Sequence, residues 1–175
     1  MSSVGWYTLL LVLVGGERIA ELVVARRNAA VAMAQGAFEQ GRAHYPVMVV
    51  LHTGFLLACL AEVVLLERPF LPWLGWPAFV VVLLAQALRW WCIATLGHQW
   101  NTRVIVVPGA PRVTSGPYRW MRHPNYVAVV LEMAALPLVH TAWLTALVFS
   151  AANAILLRER IQVESRALEH LTDPT

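Results

Sequence analysis

Lysine is absent from this chain. All 13 basic side chains are arginine, so its basic character does not come from a lysine-rich tail. The arginines are spread along the sequence and coincide with the ends of apolar runs, which argues for membrane orientation and against nucleic-acid binding. Cysteine is nearly absent as well. Cys59 and Cys92 both fall inside apolar runs, where a thiol acts as a small buried hydrophobe. No disulfide framework and no zinc-type spacing can be built from them. Charge is scarce too: 13% of residues are charged and 59% are hydrophobic, a balance that excludes an ordinary soluble domain. No internal repeat, low-complexity segment, phosphate-cradling glycine loop or serine nucleophile elbow occurs.

What is present is a succession of apolar runs. The first, from about Ser3 to Ala25, has the length of a spanning helix. It lacks the basic start and small-residue cleavage site of a signal peptide. Glu17, Arg18 and Glu21 interrupt it. Arg18 and Glu21 stand three apart on one helical face and can neutralise each other, as a structural pair or a functional one, while Glu17 is left over. Arg26 and Arg27 close this span, and a loop with Gly36, Gly41 and Arg42 follows.

His44 to Leu66 forms the second candidate, with His52 inside it, read first as hydrogen-bonded structure and second as a ligand or proton carrier. Trp73 to Gly97 forms the third, flanked by Trp73 and Trp76 at one end and Trp90 and Trp91 at the other, as interfacial belts require. Arg89 lies about two turns inside it and can snorkel or pair with a buried carboxylate.

After Gly97 comes a long polar segment that cannot rest in hydrocarbon without partners. It ends in GPYRWMRHPNY, Gly116 to Tyr126. Gly116-Pro117 reads as a turn, and Pro124 is suited to a first helical position. Arg119, Arg122, His123, Asn125 and Tyr126 then cluster at a helix start, where free N–H groups and the helix dipole favour an anion. A basic, aromatic juxtamembrane loop satisfies the same pattern.

Tyr126 to Val139 and Thr141 to Leu157 are short apolar pieces split by Pro137 and His140, and read as a helical hairpin. The tail RERIQVESRALEH resumes helical periodicity, with Ile161, Leu168 and Leu171 on one side and Arg160 and Glu164 four apart. It is expected to be a surface or site-covering helix.

The fold expected is therefore an all-α integral membrane protein of about five transmembrane helices. Residues 1–97 supply three of them; residues 98–175 supply the polar loop, the hairpin and a cytoplasmic C-terminal helix, all in one membrane domain. Most arginines collect on one side, with Arg68 opposite. The positive-inside rule then places the N-terminus outside and the C-terminus in the cytoplasm, in the cell (inner) membrane. The polar segments 98–126 and 158–170 would face each other there, able to hold a polar cofactor on the inner side while an apolar acceptor arrives from the bilayer. No metal ligand set is recognised, because His98, His123, Glu159 and Glu164 lack the usual spacings.

Leu96-Gly97 with Trp100, Gly116-Pro117-Tyr118, Arg122-His123-Pro124 with Tyr126, and Arg160 and Glu164 with Leu168 together resemble the isoprenylcysteine carboxyl methyltransferase family. The likeness runs from about residue 90 to the end. The HYP stretch before the second span resembles the bacterial branch, which includes O-methyltransferases of alkylpyrones and alkylresorcinols. The resemblance implies S-adenosylmethionine as cofactor, held by His123, Tyr126 and Glu164 with Tyr118 and Pro124. It implies methyl transfer to an oxygen of a lipophilic acceptor, with Arg122 or Arg160 orienting the anion. Where the family has two adjacent glutamates, this chain has Glu164 followed by Ser165.

Two other readings stand beside it. One is a nicotinamide-dependent reductase of steroid-like lipids, which shares the Pro-Asn-Tyr turn. The other is a membrane scaffold or small transporter in which Glu17, Arg18, Glu62, Arg89 and Glu132 form a polar path. Within the hairpin, Glu132 must be neutral, face a partner or belong to an acceptor pocket, and Arg89 is its nearest cationic partner in this topology.

Overall fold

A computed structural model describes residues 2–41 and 44–172; the side chains of His44 and of residues 165–172, and so the expectations for Ser165, Arg166, Leu168 and Leu171, lie outside the description. The chain is built from five α-helices: α1 (Ser3–Ala34), α2 (His44–Leu65), α3 (Pro72–Leu96), α4 (Pro124–Leu138) and α5 (Trp143–Thr172). A ribbon of two short antiparallel strands, β1 (Phe38–Gln40) and β2 (Val104–Val106), joins the α1–α2 loop to the α3–α4 loop, with Phe38 opposite Val106. The ribbon was not expected from the sequence, because three-residue strands carry too little alternation to read.

Two boundaries differ from expectation. α1 does not stop at Ala25 but continues past Arg26 and Arg27 to Ala34. Nothing between those residues breaks a helix. The stop comes from Gly36, at φ 82°, whose N–H reaches the Met33 carbonyl. The tail is likewise not a separate helix, since α5 runs unbroken from Trp143 to Thr172. Ser2 caps α1 by accepting from the Gly5 N–H, and prolines open α3 and α4 at first helical positions.

α3 packs against α4, α4 against α5, α5 against α2, and α2 against α1. Tyr7, Phe55, Cys59, Val82, Met133 and Leu136 fill the centre. Large apolar side chains such as Val12, Leu57, Leu84 and Leu147 are left exposed around it, an outer surface suited to lipid more than to water. α2 from Tyr45 and α3 with its continuation to Gln99 are long and apolar enough to cross a membrane.

One end of the bundle gathers the start of α1, the α2–α3 loop and the α4–α5 turn. Trp6 stacks on Trp76 at 6.0 Å. Gly75 of α3 approaches this turn so closely that a Cβ would lie 2.7 Å from the Val139 carbonyl and press into the Phe70 ring. Glu62 of α2 caps α5 from across the interface. Its carboxylate accepts from the Thr145 N–H and hydroxyl, each at 2.7 Å, from the Leu144 N–H, and from Arg68 at 2.9 Å. An anion here meets the positive end of the α5 dipole.

The interior carries a second polar group of larger consequence. Arg18 meets Glu21 and Glu132 at 2.6 Å each, and Arg89 meets Glu132 at 2.6 Å with Glu21 at 3.6 Å. Two cations and two anions from α1, α3 and α4 thus neutralise one another, with the Glu21, Arg89 and Glu132 side chains only 5–6% exposed. The expected Arg18–Glu21 and Arg89–Glu132 pairs both exist, but as one cluster. Glu17 is not left over, for Gln86 and the Trp90 indole N–H both donate to it. Among the described residues, no hydrogen bond or ion pair joins Glu62 to this cluster. A continuous polar path through all five charges is therefore not formed. Cys59 and Cys92 are free and buried, and His52 bonds the Met48 carbonyl at 2.9 Å.

Glu132→Gln should lower stability by about 3–5 kcal/mol, because it strands Arg89 and weakens Arg18. Arg89→Gln combined with Glu132→Gln should recover part of that loss, leaving Arg18 and Glu21 as a neutral pair. Thermal unfolding in detergent reads both, and equal losses in the single and double variants would contradict the coupling. His140, in the α4–α5 turn, is 1% exposed and neither ring nitrogen has a partner among the described residues. Burial holds its pKa below the usual imidazole value. A depressed histidine contributes stability above its unfolded pKa, about 6.5, and loses it as pH falls from there towards the folded value. His140→Phe should make the fall in melting temperature between about pH 6.5 and 5 shallower.

Candidate functional site

The opposite end of the bundle is set by the start of α4. His123 caps the helix and Pro124 begins it, which lets the His123 ring lie along the Tyr126 ring at 5.3 Å and 18°. The Tyr126 hydroxyl donates to Glu164 of α5 and accepts from Arg160 Nε at 3.0 Å. Glu164 and Arg160 stand four apart, yet they meet through Tyr126 instead of through an ion pair with each other. His123 Nδ1 is 3.8 Å from the other Glu164 oxygen, too far for a hydrogen bond. That oxygen is thus not committed to His123.

Arg160 is the hub. Nη2 donates to the Thr102 carbonyl at 2.6 Å, and Nη1 lies 2.8 Å from Met48 Sδ in α2. α2, the loop before β2, α4 and α5 therefore converge on one guanidinium. The β1–β2 ribbon covers them, since Arg103 sits 4.6 Å over the Tyr45 ring and 3.5 Å from Glu39. Glu39, Tyr45, Thr102, Arg103, Arg160 and Val163 line a small cleft at this place.

The preceding turn is fixed by Gly116. Its φ is 54°, and a Cβ there would lie 2.5 Å from Thr95 Oγ1, so glycine is required both by conformation and by space. Tyr118, next but one, lies near Cys92. Its hydroxyl is held above the usual tyrosine range first by burial and then by Cys92, with Glu164 and Tyr126 near enough to add to the effect. Asn28, in the part of α1 beyond the expected span, donates to the Gly97 and Trp100 carbonyls at 3.0 and 2.8 Å and so anchors the start of the loop.

His123, Tyr126, Arg160 and Glu164 are thus brought together, Pro124 is buried beneath them, and Tyr118 lies within electrostatic reach. Arg122 is not among them: it is exposed and makes no hydrogen bond or ion pair with a described residue. Met48, Tyr45, Thr102 and Arg103 were missed in the sequence. The HYP stretch was the signal for Tyr45, while Thr102 takes part through its backbone, which no side-chain pattern reports.

The sequence profile described as the isoprenylcysteine carboxyl methyltransferase (ICMT) family matches residues 78–170, more than half of the chain. The chain belongs to this family. The match includes Tyr118, Arg122, His123, Pro124, Tyr126, Arg160 and Glu164, but not Tyr45, Met48 or the α1 charges. Similarity over most of the chain is found with two relatives. The uncharacterized protein YpbQ of Bacillus subtilis (strain 168) is 43% identical over 164 residues, covering 93% of this chain and 96% of the relative. An uncharacterized protein of Haemophilus influenzae is 25% identical over 155 residues, covering 88% and 90%. ICMT membership and the two long apolar helices point to a membrane methyltransferase.

Gly116→Ala should destabilise by about 1–3 kcal/mol through its positive φ and the Thr95 contact. A melting temperature equal to that of the parent protein would show that the Gly116 turn is not constrained in this way.

Proposed function

We propose that this protein is an integral membrane S-adenosylmethionine-dependent O-methyltransferase of the cell (inner) membrane, acting on a lipophilic acceptor. All five helices cross the bilayer in this reading, with the N-terminus outside and the arginine-rich end and C-terminus in the cytoplasm. The acceptor carries either an isoprenylcysteine-type carboxylate or an alkylpyrone- or alkylresorcinol-type hydroxyl on a long apolar tail. The observation that carries the proposal is the meeting of His123, Tyr126, Arg160 and Glu164 at one end of the bundle, inside the segment that matches the ICMT family.

The residues fit such a cofactor. Asn125 Oδ1 is buried with no partner at the α4 start, and one Glu164 oxygen has no bond to His123. Both can accept from an ammonium group or ribose hydroxyls, whereas the free N–H groups of the first α4 turn suit a carboxylate. When bound, S-adenosylmethionine supplies an electrophilic methyl group on a sulfonium. The protein's part is then alignment and exclusion of water. Tyr126 and Arg160 hold the two sides of the site together, and Arg160, with Arg122 at its exposed margin, orients the anionic oxygen of the acceptor.

The family match favours methyl transfer over a nicotinamide-dependent reduction of steroid-like lipids, and the separation of Glu62 from the interior cluster disfavours a transport path. Purified protein should bind S-adenosylhomocysteine and not NADPH in calorimetric titration. His123→Ala and Glu164→Gln should each weaken that binding by about 1.5–3 kcal/mol, the loss of a hydrogen bond to a charged group. Unchanged affinity in both variants would remove these residues from the site; binding of NADPH alone would replace the reading with the reductase.

A further inference from the structure

The segment that carries the chain from β2 to α4 folds back along the site end of α3. The Pro111 carbonyl accepts from the Gln99 side chain at 3.3 Å. Gly116 then lies against Thr95 and the Trp91 indole, both on α3. Trp120 meets Trp91 edge-on, with ring centroids 5.9 Å apart and planes at 65°. Trp91 belongs to the stretch that is long and apolar enough to cross a membrane. It precedes the last residue of α3, Leu96, by roughly 7 Å along the axis. The loop thus runs from the end of the span back to a level inside it.

The turn at this level has two faces. Pro117 is buried and Tyr118 lies near Cys92, whereas Arg119, Trp120 and Met121 are exposed, Trp120 by 67%. A tryptophan this open, held against a spanning helix near its end, belongs at the boundary of acyl chains and headgroups, where its apolar ring and its N–H are both satisfied. Arg112 and Arg119 are exposed and make no hydrogen bond or ion pair with a described residue. No Asp or Glu occurs between Glu67 and Glu132, so the segment supplies no anion of its own. Glu17, which accepts from Trp90 beside Trp91, is already shared between that indole and Gln86. An anion from outside the chain is therefore needed to balance these arginines. A soluble acidic partner would meet the arginines but leave Trp120 uncovered; a lipid brings a phosphate and an acyl chain together.

We propose that Arg112, Arg119 and Trp120 form a binding surface for anionic phospholipids of the surrounding bilayer, the guanidinium groups taking the headgroup phosphate and Trp120 the start of the acyl chains. This rests on the reading that α3 spans the membrane and on nothing about the reaction. The surface adjoins the candidate site. Only Met121 and Arg122 separate Trp120 from His123, which caps α4. A lipid held at Trp120 therefore sets the level of the α4 start against the headgroups, and an acceptor whose polar end lies at that level reaches His123 and Tyr126 without leaving the bilayer. Arg122, next to His123, is not needed for this binding.

The test reconstitutes the full-length protein in phosphatidylcholine vesicles with phosphatidylglycerol as the minor lipid. Bromine, which quenches tryptophan fluorescence, is placed on the acyl chains of one lipid or the other at equal bromine content. Quenching of Trp120 is the difference between the parent and Trp120→Phe, a change at an exposed side chain. It should be stronger with brominated phosphatidylglycerol than with brominated phosphatidylcholine. Arg112→Gln with Arg119→Gln, measured against Trp120→Phe in the same background, should lower the relative association constant of phosphatidylglycerol by about fivefold for each arginine removed. Equal quenching of Trp120 by the two lipids overturns the proposal, as does no quenching by either, which would place the turn in water and leave it to a soluble partner. Loss of the preference on adding glycerol 3-phosphate also overturns it, because the ligand would then be a soluble phosphate. Release of the protein from the vesicles by alkaline carbonate overturns the membrane-spanning reading itself, and this proposal with it.

Discussion

The cluster of Arg18, Glu21, Arg89 and Glu132 is the constraint on which the arrangement of α1, α3 and α4 depends. In an apolar interior each of these charges is costly alone, and the four are tolerable only as a neutral set. Lipid offers no hydrophobic force to hold helices together, so directional polar contacts decide which faces meet. Because Glu132 takes both arginines, α4 cannot rotate without separating opposite charges from two neighbours at once. That fixes the azimuth of α4, and with it the direction in which Tyr126, less than two turns away, presents its hydroxyl.

α5 is fixed by different means at its two ends. Near Thr145 the Glu62 carboxylate replaces the hydrogen bonds that the first turn of a helix lacks. Near Arg160 the guanidinium ties it to α2, to the Thr102 carbonyl and to Tyr126. The loops between α1 and α2 and between α3 and α4 then close over this end through the short ribbon and the Arg103–Tyr45 contact. Much of the site is thus held by residues outside the segment that matches the family.

Much of this was legible in the sequence where physics leaves few choices. The apolar runs of α2 and α3 gave their helices within a residue or so, because a run of that length between polar breaks has one outcome in lipid. Pro124 marked the start of α4, and Arg89 with Glu132 could be paired because neither could remain alone. The end of α1 was misplaced since Arg26 and Arg27 signal a membrane boundary but do not stop a helix; Gly36 does. The unity of α5 was missed for the same reason. Arg160 and Glu164 were placed at one end, but their meeting on Tyr126, and the shares taken by Met48 and the Thr102 carbonyl, depend on side-chain reach and loop path, which spacing does not encode.

The continuity of α5 limits how its length can vary. Thr145 is held by Glu62 at one end, and Arg160 and Glu164 meet Tyr126 at the other, with no loop between to absorb a change of register. Insertion of one residue anywhere in that stretch rotates everything beyond it by about 100° and advances it by 1.5 Å, turning Arg160 and Glu164 away from Tyr126 while the Glu62 anchor stays intact. Only additions or losses near whole pairs of turns, about seven residues, restore the facing, and those displace the site end by about 10 Å. The stretch from Thr145 to Glu164 is therefore nearly closed to insertion and deletion, whereas the irregular loop of residues 107–115 can lengthen or shorten without disturbing either anchor.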